Sequence, residues 1–194
     1  MTKARRSAAL LALALAACSR PGAAPSASPS PPLAAEADPS RPLPSPVPEI
    51  VARVNGEPVR IQQILPLAKA ELDLVSVAER DRRKPEVIRK ALAQYVDREL
   101  LLQEALARGI QVDARAVDWA YDQMRREHLA EQAWNRFLAR QGMDPRSLRT
   151  ELRARQMVAT LLEQEAAGGQ GGPEEVKAAL LARLRARARI ELLL

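Results

Sequence analysis

Residues equipped for covalent or metal chemistry are scarce in this chain: among 194 residues there is one cysteine, Cys18, and one histidine, His128. An activated nucleophile needs a base within hydrogen-bond reach and a third group to orient that base. His128 has no cysteine partner and no serine marked as activated, so it reads as a solvated residue on a helix face. Tetrahedral zinc takes three or four Cys, His or carboxylate ligands, more than these two residues supply. The run Gly168-Gly169-Gln170-Gly171-Gly172 lacks the preceding strand and the following lysine of a phosphate-binding loop. The expectation is a binding protein, not an enzyme, with no cofactor and no metal. What the chain does offer is adaptable apolar side chains: Trp119, Tyr121, Met124, Trp134 and Phe137 lie close in sequence, with Met143 and Met157 downstream. Such surfaces accept unlike extended segments, because they provide contact area without imposing one geometry. Trp119, Tyr121, Met124, Trp134, Phe137 and Met157 are therefore candidate residues for binding such segments, although aromatics at helical spacing also build cores.

Cys18 has a different chemistry open to it. Lys3, Arg5 and Arg6 precede an apolar segment, residues 8–17, which closes on Leu15-Ala16-Ala17-Cys18. A cationic start, a short apolar stretch and small residues at its end are the parts of a secretory signal. The segment is too short to span a bilayer, which takes ~20 apolar residues. Its ending resembles the lipobox of bacterial lipoproteins, in which the signal is cut before the cysteine and the cysteine is acylated. That resemblance implies a signal at residues 1–17, a lipid on Cys18 and an anchored location on the periplasmic side of the cell envelope, the outer membrane being favoured over the inner. A lone thiol also excludes an internal disulfide.

The net charge is +6 and the isoelectric point near 10.1. Three of the 30 cations fall in the signal, leaving 27 against 24 acidic residues. With export and with charges of both signs interleaved, nucleic acid is not an expected partner. Residues 19–48 hold ten of the fifteen prolines and few large apolar residues. Such a stretch cannot build a core and favours polyproline II, so residues 18–48 read as a disordered tether between lipid and domain. The remaining residues, 49–194, are the size of one ordinary domain.

Within that domain, Asn55-Gly56 separates two short apolar runs, the strongest local signal for a hairpin, and Pro58 confines the second arm to an edge. A helical pattern through Ile64, Ala68, Leu72 and Val75 follows, with Pro66 requiring a start near Leu65 or an irregular first turn. The polar run 79–84 is read as its end and Pro85 as the start of the next helix. That helix is apolar over more than half its circumference, which suits a central position. Gly109-Ile110 predicts a Schellman end. Asp113 and Asp144 predict N-caps, each flanked by the apolar pair of a hydrophobic staple. The pattern predicts one long helix over residues 114–140, on which Trp119 and Trp134 are offset from the Tyr121/Met124 direction, so that at least one faces outward or toward a cleft. Further helices follow over about residues 145–166 and from Pro173. The alternation Ile190, Leu192, Leu194 predicts a terminal strand that pairs with the first one. The fold class expected is mostly α, about five helices with a small β pairing.

The order of these pieces is similar to the chaperone domain of SurA-like and PrsA-like foldases. The resemblance rests on the opening Val-Asn-Gly turn, Leu101-Leu102-Gln103-Glu104-Ala105, Ala107-Arg108-Gly109-Ile110-Gln111-Val112-Asp113, Gln141-Gly142-Met143-Asp144, Glu151-Leu152-Arg153 and the closing Ala188-Arg189-Ile190-Glu191-Leu192. It covers residues 49–194. In that family a parvulin-type prolyl isomerase domain is often inserted before the closing helix and strand. Here the equivalent junction, residues 167–173, is only a glycine-rich loop, and the paired histidines of a parvulin site are missing. The family's Ser/Thr near the first helix start is replaced by Arg60-Ile61-Gln62. The resemblance implies a lipid-anchored holdase for unfolded or nascent exported proteins, working without ATP. The alternatives are a protein with residual prolyl isomerase activity and an assembly lipoprotein dedicated to one secretion or export complex. Oligomeric state is not legible.

Overall fold

The computed structural model describes residues 41–168 and 171–194. The predicted signal, Cys18 and the tether up to residue 40 lie outside the described residues. The described chain forms six helices and three short strands: β1 (Ile50–Val54), β2 (Glu57–Arg60), α1 (Ile61–Leu72), α2 (Val77–Ala107), α3 (Ala114–Arg126), α4 (Glu131–Gln141), α5 (Pro145–Gly168), α6 (Pro173–Arg187) and β3 (Ile190–Leu192). The fold is mostly α, as expected. No helix among the described residues is long and apolar enough to cross a membrane.

The sheet has the order β2-β1-β3, all antiparallel, so the first and last strands pair and the proline-bearing β2 lies at an edge. The β1–β2 turn has positive φ at Asn55 (53°) and Gly56 (91°), the backbone that the Asn-Gly pair is suited to. Asn55 also joins three elements. Its N–H donates to the Arg189 carbonyl (2.8 Å), its Oδ1 accepts from the Arg189 N–H (2.9 Å), and its Nδ2 donates to Gln103 Oε1 on α2 (2.7 Å).

The main core lies between the sheet, α1, α2, the second half of α5 and α6; Val51, Val54, Val59, Ile64, Val96, Leu161 and Leu180 are almost wholly enclosed there. A second, smaller core joins Val117 of α3, Trp134 and Leu138 of α4, and Leu148 and Leu152 of α5. Helix α5 thus serves both, with Leu148 and Leu152 in one and Met157 and Leu161 in the other.

The local end signals hold. After α2, Gly109 is left-handed (φ 67°), its N–H donates to the Leu106 carbonyl and the Ile110 N–H to that of Ala105, which completes a Schellman motif. Gly142 (φ 64°) ends α4 in the same way through Leu138 and Ala139. Asp113 caps α3 through the Arg115 N–H, and Asp144 caps α5 through the Ser147 N–H. The stapling residues Val112 and Val117, and Met143 and Leu148, belong to the second core.

Three expectations change. The single helix over 114–140 is two: the chain breaks at residues 127–130, where Ala130 is extended (φ −93°, ψ 138°), and the total becomes six helices. The helix predicted to open at Pro85 begins at Val77 and runs through the proline. Its polar first turns are held from outside, by Arg80 Nε on the Val75 carbonyl (3.2 Å) and by Lys90 on Glu71 of α1 (2.9 Å). Helix α1 begins at Ile61 rather than near Leu65, because Gln63 Oε1 accepts the Arg60 N–H (2.7 Å) in place of a Ser/Thr cap. Of the predicted tether, residues 41–48 have no regular structure, yet Leu43 packs on the main core and the Pro42 carbonyl accepts from Arg89 of α2 (3.4 Å).

Candidate functional site

Three of the four sequence-predicted aromatics, Tyr121, Trp134 and Phe137, converge at the corner between α3 and α4, and Trp119 does not. Tyr121 meets Trp134 edge-on (5.5 Å between centroids), and Phe137 stacks on Trp134 (5.4 Å). His128 stacks on Phe137 (4.6 Å), so it is a half-buried residue of the interhelical turn and not a solvated one on a helix face. Arg125 explains the turn: its guanidinium lies over Trp134 (5.6 Å), donates to the His128 carbonyl and pairs with Glu131 (2.6 Å). Arg149 covers the Tyr121 ring at 3.7 Å. Stacked rings and cations on one apolar cluster stabilise a corner.

Within this arrangement the six candidates separate. Trp134 (3% exposed) and Met157 (7%) are core residues and present almost no side-chain surface to a partner. Tyr121, Met124 and Phe137 are half-buried around the second core. Trp119, 65% exposed, alone of the six faces outward.

The open apolar surface lies elsewhere. A cleft of about 660 Å³ runs between α1, the first half of α2 and the C-terminal end of α4. Leu65, Pro66, Ala68, Leu72, Ile88 and Ala139 form its apolar lining. Pro66 has no N–H to donate to the carbonyl of Gln62, another residue of the cleft lining, and so leaves that carbonyl without its usual helical donor. Lys69, Arg80, Lys84 and Arg140 stand at its edge, with Asp73 the one carboxylate among its lining residues. Leu74, in the turn just beyond, and Val77, the first residue of α2, are 89% and 79% exposed. The sequence names Leu65, Pro66, Ala68 and Leu72 only as parts of a helical pattern, not as a site. The signal available was that α1 is apolar off its buried stripe: Ile64 and Ala68 are enclosed, whereas Leu65 and Leu67 are more than 40% exposed.

Away from the cleft, a charge network ties the C-terminal end of α2 to α5 and α6. Glu165 of α5 pairs with Arg108 of α2 (2.7 Å) and with Arg183 of α6, while Glu104 pairs with Arg108 (2.7 Å) and Arg187. The Arg108 guanidinium holds the Glu165 carboxyl below its ordinary value of 4.5, with partial burial opposing and Arg183 assisting. Tyr95, whose hydroxyl accepts from Gln63 of α1 (2.7 Å), is raised above 10.0, first by burial and then by Glu99. Among the described residues no group of three or more His, Cys, Asp or Glu side chains could hold a metal ion.

A family model described as the SurA-like N-terminal domain matches residues 40–162, well over half of the chain. No curated protein and no solved structure matches it. The matched segment includes β1, β2 and α1 to α4 with most of α5, and therefore all of the cleft.

Proposed function

We infer the function from family and surface together: the chain belongs to the SurA-like N-terminal domain family, a chaperone-type family, and it carries an open apolar cleft. The protein acts as a holdase. It binds extended, unfolded segments of exported proteins and delays their aggregation, without ATP and without a covalent step. The cleft is the observation that carries this reading. Its apolar walls come from three helices, it is open to solvent, and exposed Leu74 and Val77 extend the apolar surface beside it. An exposed apolar patch rimmed by polar residues is the usual mark of a site for another chain. In this reading Cys18 bears a lipid and the proline-rich stretch holds the domain near the membrane on the periplasmic side, which raises its effective concentration there.

The test is suppression of aggregation. Full-length chain in detergent, mixed with a urea-unfolded outer-membrane protein on dilution, should lower light scattering in proportion to its concentration. Leu65→Asp, at a position 44% exposed in the cleft, should weaken that effect with little change in stability. No suppression at tenfold excess would remove the holdase reading.

A further inference from the structure

We propose that the cleft selects extended segments in which apolar residues are flanked by Asp or Glu. The proposal rests on the holdase reading and names its client class. Three cations reach the cleft edge from three different helices: Lys69 from α1, Lys84 from α2 and Arg140 from α4. All three side chains are exposed, and none has a carboxylate within 4.0 Å among the described residues. Arg155 of α5 and Arg183, Arg185 and Arg187 of α6 are tied to Asp or Glu, whereas Arg146 and Arg153 of α5 and Lys177 of α6 are not, among the described residues. The lone carboxylate of the cleft, Asp73, stands 4.0 Å from Arg80.

An apolar floor ringed by unpaired cations discriminates between extended chains of equal hydrophobicity. A segment flanked by carboxylates gains an ion pair at each cation it reaches. A neutral flank gains nothing there, and a lysine flank meets like charge. Each exposed pair changes affinity by about a factor of two, so three together give roughly an eightfold preference over a neutral flank. The preference depends on charge alone, so it disappears at about 1 M salt, where the screening length falls to about 3 Å.

Glu36 and Asp38 of the chain itself carry the same acidic chemistry. They precede the described residues, which begin at Arg41. The Pro42 carbonyl is held by Arg89, the neighbour of Ile88 in the cleft wall.

The experiment uses full-length chain in detergent and three fluorescein-labelled extended peptides with the same apolar centre and Asp/Glu, Gln/Asn or Lys flanks, read by anisotropy. The expected order is acidic, then neutral, then lysine. The preference should vanish in the Lys69→Gln/Lys84→Gln/Arg140→Gln variant, whose fold is checked by circular dichroism, so that it binds the acidic and neutral peptides alike. Equal affinities for the three peptides would overturn acidic selection and leave the holdase reading standing. Binding by none of them would overturn both. Acidic-peptide binding that emerges only in Glu36→Gln/Asp38→Asn would make the chain's own segment the occupant and overturn the assignment to a client.

Discussion

Asn55→Ala should be among the most destabilising single substitutions on the surface of this domain. It removes both side-chain bonds of Asn55, the one accepted from the Arg189 N–H at 2.9 Å and the one donated to Gln103 Oε1 at 2.7 Å. Each is worth about 0.5–1.5 kcal/mol net, and solvent exposure places both in the lower half of that range, so together they contribute about 1–2 kcal/mol. The backbone adds a further effect, because φ is +53° at this position and alanine is disfavoured there by about 1 kcal/mol more than asparagine. The sum is a loss of about 2–3 kcal/mol, a large part of the ~5–15 kcal/mol that holds a domain together. Asn55→Gly separates the two effects: it loses the same bonds but tolerates positive φ, so it should cost about 1 kcal/mol less. The assay is urea unfolding followed by far-ultraviolet circular dichroism. A double-mutant cycle with Gln103→Ala should show coupling of at least ~0.5 kcal/mol. If alanine and glycine destabilise equally, the conformational argument is wrong. If both lie within about 0.5 kcal/mol of wild type, as ordinary surface substitutions do, Asn55 does not join the strands to α2 in the way described.

Two further outcomes are expected. Glu165 has a folded-state pKa below its ordinary 4.5, so in acid the unfolded chain binds its proton more readily than the folded one. Its contribution to stability is complete above about 4.5 and is lost as pH falls through the lower folded value; Glu165→Gln should flatten that acid limb of a plot of Tm against pH, and an unchanged limb would refute the assignment. Cys18→Ser should abolish incorporation of radiolabelled palmitate with an unchanged circular dichroism spectrum, and equal labelling of the variant would exclude a lipid on this residue.

The parts of the fold legible in the sequence are those decided within a few residues. Asn55-Gly56, the glycine ends at Gly109 and Gly142, and the caps at Asp113 and Asp144 each act on adjacent backbone, and each forms as its residue type requires. The break between α3 and α4 has no such marker. Residues 127–130 are Glu-His-Leu-Ala, without glycine, proline or a good cap, and the turn exists because His128 stacks on Phe137 and Arg125 closes around it. For the same reason the candidate site was only partly legible. Spacing along one imagined helix grouped the aromatics correctly but could not tell that Trp134 would become the centre of a second core while Trp119 stayed exposed. The cleft is formed by helices from α1 to α4, so the surplus apolar residues of α1 are the one local sign of it and nothing in sequence shows that α4 completes it.

The position of β3 has a consequence for timing. Asn55 and Arg189 bond across 134 residues, and β1 has both of its neighbours only when β3 has arrived. At ribosomal rates of roughly 5–20 residues per second, about 7–27 s separate the appearance of the two strands. Through that interval the central strand has one edge open, and closing so long a loop is among the slower steps a small domain can take. The domain therefore passes through a stage in which it is itself an incompletely folded chain of the kind it is proposed to protect.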